Sequence, residues 1–103
     1  MDINDIIFDE RFDDDYNNTT TFYFTAPKRH LKIFFPDEDY SEAVSMEISI
    51  EFPSDHIEAR YASMICASPT REDENGTEDY DWRDISLSYD EIENIFYGAG
   101  LSI

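Results

Sequence analysis

Carboxylates are the most abundant reactive groups in this chain, and they come in runs. The runs are Asp9-Glu10, Asp13-Asp14-Asp15, Asp37-Glu38-Asp39, Glu72-Asp73-Glu74, Glu78-Asp79 with Asp81, and Asp90-Glu91 with Glu93, while Glu47 and Glu51 stand four residues apart. Such groups serve three kinds of chemistry: chelation of a hard cation, acid–base catalysis by a carboxyl pair, and electrostatic capture of a basic surface. Asp73-Glu74-Asn75-Gly76 has the look of a calcium loop. Setting that motif's glycine on Gly76 places Arg71 at the first ligand position and Trp82 at the twelfth, where both must be acidic, so the motif fails. A catalytic carboxyl pair is not a specific signal among 25 Asp and Glu. One cysteine (Cys66) and two histidines (His30 and His56) cannot fill a zinc site at usable spacing. A Cys66–His nucleophile pair competes with a simpler reading, an inert thiol at the end of an apolar strand. Three glycines leave no room for a phosphate-binding loop. The chain therefore reads as a non-enzyme with no cofactor and no metal.

Capture of a basic surface is the chemistry left standing. Seven Lys and Arg oppose the 25 acids, for a net charge of -18. Disordered acidic tails have few aromatics, whereas this chain has eight Phe, seven Tyr and one Trp. It reads as a folded domain with a coat that repels itself, which a basic partner would explain. The same charge argues against direct binding of nucleic acid or an anionic membrane. Lys28, Arg29, His30 and Lys32 read as internal charge balance. Carboxylates at i and i+2 on one strand face lie roughly 6.6–6.8 Å apart, comparable with successive phosphates along a nucleic-acid strand. Tyr16, Tyr40, Tyr80, Tyr89 and Trp82 offer aromatic anchors. The expected partner-binding residues are Asp13, Asp14, Asp15, Asp37, Glu38, Asp39, Glu72, Asp73, Glu74, Glu78, Asp79, Tyr80, Asp81 and Trp82, with the 72–74 group weighted above 13–15.

The elements that must position them follow from periodicity. Ile3, Ile6 and Ile7 have helical spacing behind a possible Asp2 cap, in competition with a short strand over 6–8. Segment 19–25 is strand-like, with Phe22 and Phe24 on one face and Tyr23 on the other. Leu31, Ile33 and Phe35 predict a second strand over 31–35. Val44, Met46, Ile48, Ile50 and Phe52 alternate strictly with Ser45, Glu47, Ser49 and Glu51, the mark of a half-buried antiparallel strand. Segment 57–66 predicts a fourth strand, 68–80 a long polar loop and 82–88 a fifth strand. Ser88-Tyr89-Asp90-Glu91 is a capping box opening a helix that carries Ile92, Ile95 and Phe96, with Gly98 as its stop. The prediction is one α+β domain over residues 1–103: a twisted antiparallel sheet of four to five strands, a C-terminal helix and an optional short N-terminal helix.

In size, charge and folded character the chain resembles the small acidic proteins of phages and other mobile elements: anti-CRISPR proteins, anti-restriction proteins and uracil-DNA glycosylase inhibitors. The resemblance covers composition and transfers no residue. It implies a stoichiometric inhibitor that mimics DNA and blocks a nucleic-acid site of a host defence protein, with a Cas effector as the specific expectation. The partner would be a basic nucleic-acid-binding protein: a Cas effector, a restriction enzyme or a nuclease. An immunity protein against a basic nuclease toxin is the alternative. The acidic start without an apolar run, the lack of a spanning segment and the single cysteine predict a cytoplasmic protein. An exposed edge strand leaves a homodimer open.

Overall fold

The computed structural model describes residues 5–103. Strands β1 (Ile7–Asp14), β2 (Thr19–Ala26), β3 (Ser45–Pro53), β4 (Met64–Glu72), β5 (Glu78–Tyr80) and β6 (Arg83–Asp84) form one sheet in the order β1-β2-β3-β4-β5, with β6 on the same edge of β4 as β5. Every pairing is antiparallel. Helices α1 (Leu31–Phe34) and α2 (Tyr89–Gly98) complete the α+β fold. The optional N-terminal helix falls largely on residues 1–4, outside the described residues, and Ile7 already belongs to β1.

Alternation builds the two faces. Phe22, Phe24, Met46, Ile48, Ile50 and Phe52 are buried on the inner face of β2 and β3, and Ile92, Ile95 and Phe96 of α2 close over them. Phe96 is the hub. Its ring meets Phe22 at 4.9 Å, Phe24 at 5.1 Å and Phe52 at 5.7 Å, all edge to face, the geometry aromatic quadrupoles favour. The helix begins as its sequence predicts. The Ser88 hydroxyl accepts from the Glu91 N–H at 3.2 Å, and the Ser88 N–H donates to the Glu91 carboxylate at 3.0 Å. Its stop differs. Gly98 is the last helical residue, and the left-handed position is Gly100 (φ 82°), where the Leu101 N–H reaches Phe96 O and the Gly100 N–H reaches Tyr97 O.

Three strand predictions and one loop prediction change. Segment 31–35 is helical: Lys28–His30 makes a 3₁₀ turn that runs into α1. β2 and β3 pair directly with each other, so no ladder remains for a strand between them, and the connection coils instead. Only Leu31 of the predicted alternating face is deeply buried, while Ile33 is exposed. Val44 is also exposed, because it precedes β3 at the open end of the sheet. Segment 57–66 turns through a 3₁₀ helix (Ala59–Tyr61) before β4 starts at Met64. The predicted polar loop over 68–80 is mostly strand, because β4 runs on through Pro69. Thr70 O accepts from Val44 N across the β3–β4 ladder, so the Pro69 nitrogen turns to the other edge. It falls in the gap between β6, which pairs up to Ala67, and β5, which pairs from Thr70. A missing N–H costs nothing where no strand stands opposite. The fifth strand shrinks from 82–88 to the two residues of β6.

β1 is a free edge, and it is guarded. A bulge at Asp9 interrupts its register with β2, and Asp9, Glu10, Arg11, Asp13 and Asp14 crowd its length. Bulges and charges on an edge strand discourage pairing with another chain.

Candidate acidic cleft on the open sheet face

The second face of the sheet carries Thr21, Tyr23, Thr25, Glu47, Ser49 and Glu51 from β2 and β3, none of them in the core. Two features turn this face into a cleft. The first is the β1 bulge. Phe8 pairs with Phe24 and Glu10 with Tyr23, so Asp9 is the extra residue, and both Asp9 and Glu10 line the outer face. In a regular strand, neighbouring side chains would point to opposite faces. The second is the segment 78–84. It folds back along β4, and the Asp81 N–H donates to the buried Ser68 hydroxyl at 2.6 Å. Arg83 bridges Asp81 and Glu38, pinning the segment to the acidic connection after α1. Trp82 is thereby held against Tyr23 (6.3 Å, edge on) and Tyr80 (5.8 Å, stacked).

The resulting cleft has a volume of about 480 Å³ and is lined by Asp9, Glu10, Tyr23, Thr25, Glu47, Glu78, Tyr80 and Trp82. Four carboxylates converge with no Lys or Arg among the lining residues. The Thr25 hydroxyl donates to Asp9 Oδ2 at 2.6 Å and also meets the Glu47 carboxylate. A hydroxyl has one proton and cannot donate to both, so a protonated Glu47 satisfies the trio. The electrostatics agree: burial first, then the neighbouring Asp9 and Glu78, push Glu47 up to about 8, against the hydrogen bond from Thr25. Across the cleft, the Tyr80 hydroxyl donates to the Glu78 carboxylate, and this bond with some burial pushes Tyr80 up to about 12.

The raised Glu47 has a consequence for stability. The folded state keeps the Glu47 proton between about 4.5 and about 8, where the unfolded chain has lost it. Its stabilising contribution is therefore complete below about 4.5 and is lost as pH rises toward 8. Glu47→Gln, which retains the neutral form, should leave stability unchanged at pH 4.5. At pH 8.5 it should raise stability by on the order of 1–2 kcal/mol after allowance for solvent screening. Urea denaturation at the two pH values measures it, and an equal difference at both would mean that Glu47 is ionised throughout. Asp13 and Asp14 act in the opposite sense. Hydrogen bonds from Thr20 and Arg11 hold Asp13 low, and those from Asn17 and Tyr16 hold Asp14 low, so their contribution is lost as pH falls through the carboxyl range.

The expected partner-binding residues are distributed unevenly. Glu78, Tyr80 and Trp82 enter the cleft. Asp13 and Asp14 end β1 and Asp15 follows in the turn, level through β2 with the Pro53 end of β3, whereas Glu72, Asp73 and Glu74 lie beyond its Ser45 end, so the two groups occupy opposite ends of the sheet. Several acids have local duties. Asp14 accepts from the Tyr16 and Asn17 N–H groups, Asp39 from Ser41 N–H, and Asp73 from Asn75 and Thr77 N–H, which are turn-closing bonds. The segment with the look of a calcium loop is thus the β4–β5 turn, with Gly76 at φ 78°. Glu38 and Asp81 are tied to Arg83, and Asp37 and Asp79 are exposed. The Lys28, Arg29 and Lys32 side chains share a second cavity with Glu38 and Asp39, and Arg29 pairs with Asp5. Cys66 lies within β4 rather than at the end of a strand; its S–H donates to Asp84 at 3.3 Å, and burial with that neighbouring carboxylate pushes the thiol up, away from the nucleophilic thiolate. Sequence reasoning left Asp9, Glu10, Tyr23, Thr25 and Glu47 out of the binding set. The alternation of β3 already put Glu47 outward; the bulge that adds Asp9 and Glu10 has no sequence signal.

Fold and cleft define an α+β protein with one packed sheet face and one open, acidic, aromatic-walled face. In comparisons with known proteins, no family, no curated protein and no solved structure matched the chain. Among the described residues, no helix is long and apolar enough to cross a membrane.

Proposed function

We propose that the protein is a stoichiometric, non-catalytic inhibitor that sets its acidic sheet face against the nucleic-acid-binding surface of a basic protein, in imitation of DNA. The target of choice is a Cas effector of a host defence system, met in the host cytoplasm. One observation carries this reading: Asp9, Glu10, Glu47 and Glu78 converge with no Lys or Arg among the described lining residues, beside the exposed rings of Tyr80 and Trp82. Lys and Arg that ordinarily neutralise phosphates would meet these carboxylates, and the aromatics would supply the short-range anchor.

Capture from a lysate that contains a Cas effector tests it. The tagged protein should retain the effector at low salt, release it at high salt and release it to added duplex DNA, since mimic and DNA compete for one surface. Retention of a basic toxin nuclease in place of the effector, or of an effector that duplex DNA does not displace, would overturn the reading.

A further inference from the structure

The cleft has more shape than charge alone requires. Tyr80 and Trp82 form a wall, their rings within 18° of parallel at 5.8 Å, and Tyr23 braces Trp82 from the side. The two wall residues remain about two-fifths exposed, at 39% and 40%. Apolar ring surface thus stands open beside carboxylates that have no Lys or Arg among the lining residues, on the sheet face opposite the core. A space of about 480 Å³ is enough for one inserted side chain. The complementary group is cationic, flat and weakly hydrated. A lysine ammonium is compact and strongly hydrated; a guanidinium stacks on aromatic faces and presents forked donors to carboxylates.

We propose that this cleft receives an arginine side chain from a basic partner protein, with the guanidinium against the Trp82–Tyr80 wall and hydrogen-bonded to the carboxylates of Asp9, Glu10 and Glu78. The proposal rests on the reading of this face as a docking surface and adds the residue type and the place. The proton that Glu47 retains, held first by burial and then by the nearby Asp9 and Glu78, is compatible with it, because an incoming cation supplies counter-charge to those two carboxylates.

Trp82 is the chain's single tryptophan, so its emission reports on the wall directly. The full chain is titrated with a short arginine peptide and with a lysine peptide of equal length, at one ionic strength. The arginine peptide should shift Trp82 emission saturably and bind at least about tenfold more tightly than the lysine peptide. Glu10→Gln with Glu78→Gln should weaken arginine binding by about tenfold or more. Glu42→Gln with Asp55→Asn, which removes the same charge from exposed positions outside the cleft, should change it less than about twofold. All four positions are exposed, and an unchanged melting temperature verifies folding. Equal affinity for the two peptides, or equal losses in the two double variants, overturns the proposal. Effector capture that survives Glu10→Gln with Glu78→Gln sinks the arginine cleft and leaves the docking reading. Arginine selectivity without any effector capture keeps the cleft and sinks the docking reading.

Discussion

Phe96→Ala should destabilise the fold by about 3–5 kcal/mol, the range for removing a buried aromatic from a packed core. Phe96 is fully buried, and its ring is the contact through which α2 meets Phe22, Phe24 and Phe52. Truncation leaves a cavity that β2 and β3 cannot close, because their register is held by a continuous antiparallel ladder from Thr19↔Pro53 to Ala26↔Met46. It also removes three edge-to-face ring contacts, worth about 0.5–1.5 kcal/mol each beyond burial. A domain of this size has about 5–15 kcal/mol in total, so the variant should sit close to its unfolding threshold at 37 °C. Chemical denaturation measures the loss. A change below about 1 kcal/mol would mean that α2 is not packed through Phe96.

Trp82→Ala combined with Glu10→Lys and Glu78→Lys should abolish partner binding while the fold survives. Trp82 is an exposed aromatic at the centre of the proposed interface, the kind of residue whose truncation costs about 2 kcal/mol or more, roughly 30-fold in affinity. The two reversals turn attraction into repulsion at the same place, which adds loss of on-rate and flattens the salt dependence. Folding should be little affected, since Glu10 and Glu78 are exposed and the core lies on the other side of the sheet. Titration calorimetry against the captured effector measures affinity, and thermal melting checks the fold. Full affinity in a folded triple variant would exclude this face as the binding surface. Reversals at Asp14 or Asp73 are a poorer probe, because those carboxylates close turns, so lost binding there would be confounded by a disturbed backbone.

The choice of this face over the acidic runs follows from where charge is left uncompensated. Glu38 and Asp81 already face Arg83, and Asp13 faces Arg11 and Thr20. In the cleft the carboxylates face one another, and burial first, then the neighbouring Asp9 and Glu78, keep the proton on Glu47. Formal charge along the chain therefore overstates some clusters and misses the one that the fold assembles.

What sequence alone determined was whatever depends on neighbours a few residues apart. The two-residue period of 44–52 dictated β3, and the Thr, Phe and Tyr of 19–25 dictated β2 with its correct faces. The Ser88–Glu91 box dictated where α2 begins, and the balance of acids to bases dictated the charge. Tertiary structure decided what depends on pairing. It made 31–34 helical because β2 and β3 left no place between them, and it carried β4 through Pro69 because a gap stood opposite. It assembled the cleft from β1, β2, β3 and the 78–82 segment, residues up to about seventy positions apart in the chain. Local periodicity cannot reveal a bulge that turns Asp9 and Glu10 to the same side, or a segment pinned by Arg83 that lays Trp82 on Tyr23. Both are long-range contacts, settled only when the strands have chosen their partners.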